Sequence, residues 1–164
     1  MKLHRNFKAA LCALVPAAIF AAALVPAIAS GSSQGDAATV TIQTIQSATA
    51  FTTIDADQNG KASVGDYSVA QVVHTDPKTG KRIGTGVAIC TQINAAGSLF
   101  DCQGSDVLPG GELREAGRFT FGKTWHLSIV GGSGVYDGAS GSVQGTWLDA
   151  KLTRSRDVFT IKRG

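Results

Sequence analysis

Beyond residue 38, short runs of β-branched and aromatic residues alternate along the chain with turns rich in glycine, proline and aspartate. No segment after residue 30 keeps the 3.6-residue hydrophobic period of an amphipathic helix. The pattern predicts an all-β domain of about eight antiparallel strands joined by short connections, in a meandering barrel or a sandwich. The predicted strands cover residues 39–45 and 48–54 (one bent strand or two short ones), 67–75, 83–93, 99–108, 113–121, 125–130, 142–148 and 157–162.

Several predicted strands are apolar on both faces. In the run 125–130, Trp125, Leu127 and Ile129 share one face, and the other face, with His126, Ser128 and Val130, is not strongly polar. Strands of this kind favour a barrel with a buried lumen whose outer surface is partly covered by another subunit, and we therefore expect a homo-oligomer, a dimer or a trimer. A flattened sandwich core is the alternative, which suits short meander connections less well.

Two cysteines face each other in a predicted hairpin. Its strands flank the turn 94–98, which contains a glycine able to adopt the positive φ that a tight turn needs. If the turn is centred on Ala96, Cys90 and Cys102 are equally far from the centre and lie on neighbouring strands. Directly opposed Cβ atoms lie ~4.5–5.5 Å apart, close enough for a disulfide after a small adjustment. We predict a Cys90–Cys102 disulfide; two buried free thiols are the alternative.

The first 29 residues have the features of a secretory signal peptide. Three basic residues, Lys2, Arg5 and Lys8, precede an apolar run over 9–28 that ends in an A-x-A sequence before Ser30. Two prolines within the run and its small-residue end argue against a transmembrane anchor. We predict export, to the extracellular space or the periplasm.

Removal of residues 1–29 changes the charge and the cysteine count. The chain has 15 basic and 12 acidic residues, and because three of the basic ones lie in the signal, 12 of each sign remain. This balance does not favour a nucleic-acid partner or, after cleavage, a membrane partner. The cleavage also removes Cys12 and leaves an even pair of cysteines for an oxidising compartment. The remaining chain divides into a flexible tail, 30–38, and one domain, 39–164.

The loop 55–66 matches the pattern of an EF-hand calcium loop. It has oxygen-bearing side chains at positions 1, 3, 5, 9 and 12 and glycine at position 6. An aspartate replaces the bidentate glutamate at position 12, and the flanks have strand character, so a solvated connection is the main interpretation. The weaker alternative is a calcium site. Its candidate ligands are Asp55, Asp57, Asn59, Ser63 and Asp66.

No other cofactor motif is complete. The glycine-rich stretch 131–141 lacks the Lys-Ser/Thr of a P-loop and the spacing of a dinucleotide fingerprint. No set of His, Cys or Glu residues recurs at metal-ligand spacing.

Several motifs, taken in order, resemble the dirigent and allene oxide cyclase-like barrel family. The family has a Cys-Thr strand, a Cys-containing return strand that ends in Leu-Pro-x-Gly, and a turn of the type GGTGxYxGARG. The similarity covers about residues 50–163, nearly the whole predicted domain, and the last motif is the most specific. The matching segments are 65–66, 84–91, 102–104, 107–111 and 129–141.

The resemblance implies an eight-stranded antiparallel up-and-down β-barrel whose hydrophobic lumen opens at one end. It implies cofactor-free chemistry in which the pocket holds a reactive small molecule in one near-attack geometry. Within the glycine-rich turn, the aligned residues are Tyr136, a candidate wall or hydrogen-bond donor, and Asp137, a candidate acid. The family commonly has arginine where this chain has Ser140, which argues against phenoxy-radical coupling.

Three further candidates are titratable or charged residues in or beside strands: Asp66, Arg114 and His126. The alternative for all five site candidates is an outward-facing, solvated side chain. The sequence thus predicts a secreted barrel that binds a hydrophobic or phenolic small molecule and directs its stereoselective coupling, cyclisation or isomerisation. The rival hypothesis is a non-catalytic ligand carrier or an interaction module.

Overall fold

The computed structural model describes residues 38–120 and 122–163. The chain divides into two units, 1–33 and 34–164, and all of these residues belong to the second. The predicted signal peptide, 1–29, lies outside the described residues, as does the predicted tail, 30–38, except for Ala38. No helix in the described part of the chain is long and apolar enough to cross a membrane.

Eight antiparallel strands form a closed barrel in which each strand pairs with its neighbours in the sequence and β1 pairs with β8. The predicted all-β fold and the up-and-down barrel are confirmed. The region 39–54 is one strand, and its register shifts between Ala48 and Ala50 where it pairs with β2. The strands are β1 (Thr39–Ile54), β2 (Tyr67–Thr75), β3 (Arg82–Gln92), β4 (Leu99–Leu108), β5 (Gly111–Thr120), β6 (Thr124–Gly134), β7 (Ser140–Trp147) and β8 (Arg154–Lys162).

The predicted disulfide is confirmed. Cys90 on β3 pairs directly with Cys102 on β4, and the two Cα atoms lie 4.0 Å apart. Both sulfur-bearing side chains line a cavity in the lumen. The bridge therefore ties two neighbouring strands together where they form the cavity wall.

The two ends of the barrel differ. At one end, Tyr136 from the β6–β7 connection is 2% exposed, and its hydroxyl donates a hydrogen bond to the Pro109 carbonyl oxygen at 2.9 Å. We call this the closed end, because buried apolar side chains fill the lumen beside Tyr136. Those side chains are Leu108, Leu113, Ile129, Ala139, Val143, Phe159 and Ile161. The opposite end, which carries the β1–β2, β3–β4, β5–β6 and β7–β8 connections, we call the entrance end.

The outer surface of β3 and β4 is apolar in part. Val87 is 44% exposed, Ile89 is 47% exposed and Val107 is 52% exposed, and all three point away from the lumen. Strands with two apolar faces are therefore present as predicted. The homo-oligomer that this pattern favours stays a prediction.

Candidate functional site

A cavity of about 160 Å³ occupies the half of the lumen nearest the entrance end. Four aromatic side chains, Phe100, Phe119, Trp125 and Trp147, form much of its wall. Phe51 of β1 and Leu152 of the β7–β8 connection lie at its outer edge. A cavity of this size lined by apolar groups suits an aromatic ring or a similar small molecule.

Carboxyl groups lie at the inner end of this cavity. Asp106 on β4 and Glu115 on β5 line it, and they are 7% and 5% exposed. The imidazole Nε2 of His74 donates a hydrogen bond to Asp106 Oδ1 at 2.8 Å, and His74 Nδ1 lies 3.1 Å from the Thr44 hydroxyl. These two contacts fix both nitrogens of a fully buried imidazole and hold the Asp106 carboxylate in place.

Glu115 is in the least favourable position for a charge. Burial, first, and then the neighbouring carboxylates of Asp106 and Asp157 raise its pKa to about 10. Its Oε1 is buried with no hydrogen-bond partner. At neutral pH Glu115 is therefore a protonated acid whose proton can be donated to a ligand.

Asp157 lies behind the lining residues, on β8. It is fully buried, and burial raises its pKa to about 7, although the hydrogen bond that Ser155 Oγ donates at 2.7 Å and the nearby His74 work in the opposite direction. Its second oxygen, Oδ2, has no partner. Four strands (β2, β4, β5 and β8) thus bring three carboxyl groups and one imidazole into a single cluster, which we call the acid cluster: His74, Asp106, Glu115 and Asp157.

The two tryptophans pack beside each other in the cavity wall. Their rings lie 6.4 Å apart, and Phe119 lies 6.3 Å from Trp125 and 6.5 Å from Trp147 between ring centroids. Both indole N–H groups are buried without a hydrogen-bond partner. Buried indole nitrogens usually have a partner, so these two N–H groups are exceptions within a wall that is otherwise apolar.

Gly145 of β7 gives Trp125 the space for this position. A Cβ atom on Gly145 would overlap the indole ring. We expect Gly145→Ala to displace the ring, to destabilise the protein by about 1–3 kcal/mol and to shift the tryptophan emission, because overpacking forces side chains out of their rotamers. Thermal unfolding and fluorescence spectra test this.

The matched control is Gly131→Ala on the adjacent strand β6, where an added Cβ meets nothing within 4 Å. An unchanged emission spectrum for Gly145→Ala, or equal effects of the two variants, would contradict this description of the cavity wall.

The structure places the five predicted site residues outside this cavity. Tyr136 belongs to the closed end, and burial raises its pKa. Asp137, next to it, is exposed. Arg114 lies on the outer face of β5 with Nε 3.5 Å from Glu112, and His126 is exposed on the outer face of β6.

Asp66 is buried, but its side chain stabilises the β1–β2 connection. Its carboxylate accepts hydrogen bonds from the backbone N–H groups of Ala56 at 2.9 Å and Ser63 at 2.8 Å. The candidate site therefore consists of other residues than the predicted ones.

A signal for the missed residues was present in the strand pattern. Asp106, Glu115 and Asp157 each stand two positions from a buried apolar residue: Leu108, Leu113 and Phe159 respectively. Residues two apart share one face of a strand, so each carboxyl lies on an apolar face, where an ionisable group is exceptional.

The acidic side chains of the calcium-like loop do converge. Oxygen atoms of Asp55, Asp57 and Asp66 lie within 4.8 Å of one another. The loop is also held by internal hydrogen bonds, such as those from Gly60 N to Asp55 at 2.7 Å and from Ser63 Oγ to Asp57 at 3.0 Å. These hydrogen bonds account for the loop conformation without a metal, and calcium binding stays a prediction.

The calcium alternative predicts that millimolar Ca²⁺ raises the melting temperature of the protein and that Asp55→Asn/Asp57→Asn removes the effect. Differential scanning calorimetry with and without EDTA measures it. Mg²⁺ at the same concentration is the control, and equal melting temperatures with EDTA and with Ca²⁺ would reject the site.

No protein-family model matches this sequence, and a search of curated proteins finds no match. The fold, by contrast, has many counterparts among solved structures. The barrel is similar to pyocyanin demethylase, with a TM-score of 0.65, 17% identity, and 75% of this chain and 100% of that chain covered.

It is similar to a pterocarpan synthase dirigent protein, with a TM-score of 0.62, 18% identity, and coverage of 77% and 87%. An exo-specific intermolecular Diels-Alderase matches with a TM-score of 0.57, 12% identity, and coverage of 76% and 98%. The resemblance to dirigent-type barrels is thus confirmed at the level of the fold.

Proposed function

We propose that this protein binds a hydrophobic or phenolic small molecule in its lumen and directs its cyclisation, isomerisation or coupling by proton transfer, without a cofactor. The observation that carries the proposal is the acid cluster at the end of an aromatic-lined cavity. A buried carboxylic acid with a raised pKa beside a carboxylate held by histidine is an arrangement suited to general acid–base catalysis.

The two lining carboxyl groups have different roles in this proposal. Glu115, protonated at neutral pH, donates a proton to the ligand. Asp106, held by His74 at 2.8 Å, accepts a proton that leaves another atom of the ligand. The ligand is isomerised with no change in oxidation state. Since Asp106 lies beside Glu115, the proton can then return from Asp106 to Glu115 and restore both groups.

The walls supply orientation. Aromatic side chains on several sides restrict a flat ligand to few poses, and a restricted pose favours one stereochemical course over unguided reaction. The comparisons support this class of function in a general way, because solved proteins with this barrel are named as a synthase, a demethylase and a Diels-Alderase.

Export and oligomerisation belong to the same proposal. The signal-like residues 1–29 support secretion to the extracellular space or the periplasm, and the disulfide suits an oxidising compartment. The exposed apolar residues of β3 and β4 support a homo-oligomer.

A small-molecule extract of the producing culture provides the test. Wild-type protein, Glu115→Gln and the exposed control Asp137→Asn are incubated with the extract, and chiral liquid chromatography with mass spectrometry follows every apolar compound. We expect the wild type and Asp137→Asn to convert at least one compound, and Glu115→Gln to slow this conversion by about a hundredfold or more.

Native mass spectrometry of protein purified from the same culture distinguishes catalysis from the rival hypothesis of a non-catalytic ligand carrier. A retained ligand, together with identical chromatograms for the wild type and Glu115→Gln, would reject catalysis and favour a carrier. It also reports the subunit number.

A further inference from the structure

The acid cluster has more negative than positive partners. Three carboxyl groups, those of Asp106, Glu115 and Asp157, are at least nine-tenths buried. His74 is the only basic side chain that is buried among the described residues, and no lysine or arginine lines the cavity. The cluster is therefore short of positive charge.

In the free protein, protons compensate for this shortage. Glu115 stays protonated because burial and the two neighbouring carboxylates oppose its ionisation. Glu115 Oε1 and Asp157 Oδ2 nevertheless have no hydrogen-bond partner. Buried carboxyl oxygens without partners are costly, and a positive charge in the adjoining cavity would lower this cost.

The wall of the cavity also favours a cation. Trp125, Trp147, Phe119 and Phe100 surround the space next to Glu115. The faces of aromatic rings attract organic cations, and most strongly when water is excluded. Aromatic walls and carboxyl groups act together on a ligand that is both flat and positively charged.

We propose that the ligand of this cavity is a flat aromatic cation, such as a quaternised or protonated nitrogen heterocycle, whose positive charge lies over the carboxyl groups of the acid cluster. This inference rests on the proposed function, because it names the chemical class that the same cavity receives. It further implies that binding expels a proton from Asp157 in the cluster, since the cation replaces that proton as the source of positive charge, while Glu115 keeps the proton that the proposed reaction uses.

Both tryptophans of the chain line the cavity, so intrinsic fluorescence reports directly on its occupancy. Three probes of the same shape are titrated near neutral pH: 1-methylquinolinium (a cation), 1-methylnaphthalene (its neutral isostere) and 1-naphthoate (an anion). We expect the cation to bind about tenfold or more tightly than the neutral isostere, and the anion to bind most weakly.

Proton release gives a second readout that needs no variant. In weak buffer, 1-methylquinolinium should release a measurable fraction of a proton per bound ligand, and 1-methylnaphthalene none. Calorimetry in two buffers of different ionisation enthalpy measures this number.

Variants locate the charge that is recognised. Glu115→Gln and Asp157→Asn should each reduce the preference for the cation at least threefold. Asp137→Asn, which removes an exposed carboxylate at the closed end, should leave it unchanged. Thermal melts show whether each variant is folded. If a variant is unfolded, the proton release of the wild-type protein still tests the proposal.

The outcomes separate this inference from the proposed function. Equal or tighter binding of the neutral isostere would overturn the cation preference and leave a cavity for neutral ligands intact. Cation binding without proton release would overturn the claim that the cation replaces a proton of the acid cluster. Failure of all three probes to quench the tryptophans would also overturn the inference. The extract experiment then decides the proposed function independently.

Discussion

Raising the pH from about 5 to about 9 is expected to lower the stability of this protein steadily. The pKa of Glu115 is raised to about 10 and that of Asp157 to about 7, in both cases mainly by burial. Their unfolded-state pKa values are ordinary, near 4. Above that pH the folded state binds more protons than the unfolded state, so the free energy of unfolding falls as pH rises.

Each group stops lowering the free energy of unfolding once the pH exceeds its folded-state pKa. This point lies near neutrality for Asp157 and in the alkaline range for Glu115. One proton of difference corresponds to about 1.4 kcal/mol per pH unit, so the two groups together should lower the free energy of unfolding by several kcal/mol across this range. Calorimetric melting temperatures at one-unit pH intervals measure it.

Glu115→Gln removes the larger of these two contributions. This variant should show a flatter pH dependence and should exceed the wild type in stability at alkaline pH, because a neutral amide needs no proton. Asp101→Asn on the outer face of β4 removes an exposed carboxylate and is the control. A wild-type melting temperature that rises with pH, or parallel curves for Glu115→Gln and the wild type, would show that Glu115 is ionised in the folded protein.

Removal of the disulfide is the second change for which we expect a large effect. Cys90 and Cys102 are 12 residues apart, and closing a loop of this size stabilises a protein by about 3 kcal/mol in the chain-entropy model. Cys102 is also 1% exposed, so truncation leaves unfilled space in the cavity wall. Cys90→Ala/Cys102→Ala should therefore lose about 3 kcal/mol or more in urea unfolding at equilibrium.

Reducing agent supplies the control for this prediction. It should shift the unfolding midpoint of the wild type toward that of Cys90→Ala/Cys102→Ala and should not change the midpoint of the variant. A wild-type midpoint that is insensitive to reductant under unfolding conditions, or a double variant within about 0.5 kcal/mol of the wild type, would mean that the bridge does not stabilise the folded barrel.

The positions of the strands and of the disulfide could be predicted because they depend on local signals. Runs of β-branched residues between turn residues mark each strand, and the hairpin around Ala96 places Cys90 opposite Cys102 by counting alone. The bulge between Ala48 and Ala50 was less clear, because a register shift requires knowledge of the partner strand.

The site could not be predicted in the same way. Tyr136 and Asp137 were favoured because a distinctive turn contains them, but that turn covers the closed end of the barrel. Glu115 and Asp157 each lie two residues from a buried apolar residue, which indicates that they share its face of the strand. This spacing alone does not say which face lines the lumen when both faces are apolar.

The sequence by itself thus determined the strand order, the class of fold and the pairing of two cysteines, since each follows from contacts between residues that are near in the chain. The tertiary structure alone decided which face of each strand is internal and which end is closed. It also decided that His74, Asp106, Glu115 and Asp157 meet, because closing the barrel brings together residues up to 83 positions apart in the numbering, His74 to Asp157. The unusual protonation of Glu115 arises from that meeting and from the loss of water, neither of which exists in an open chain.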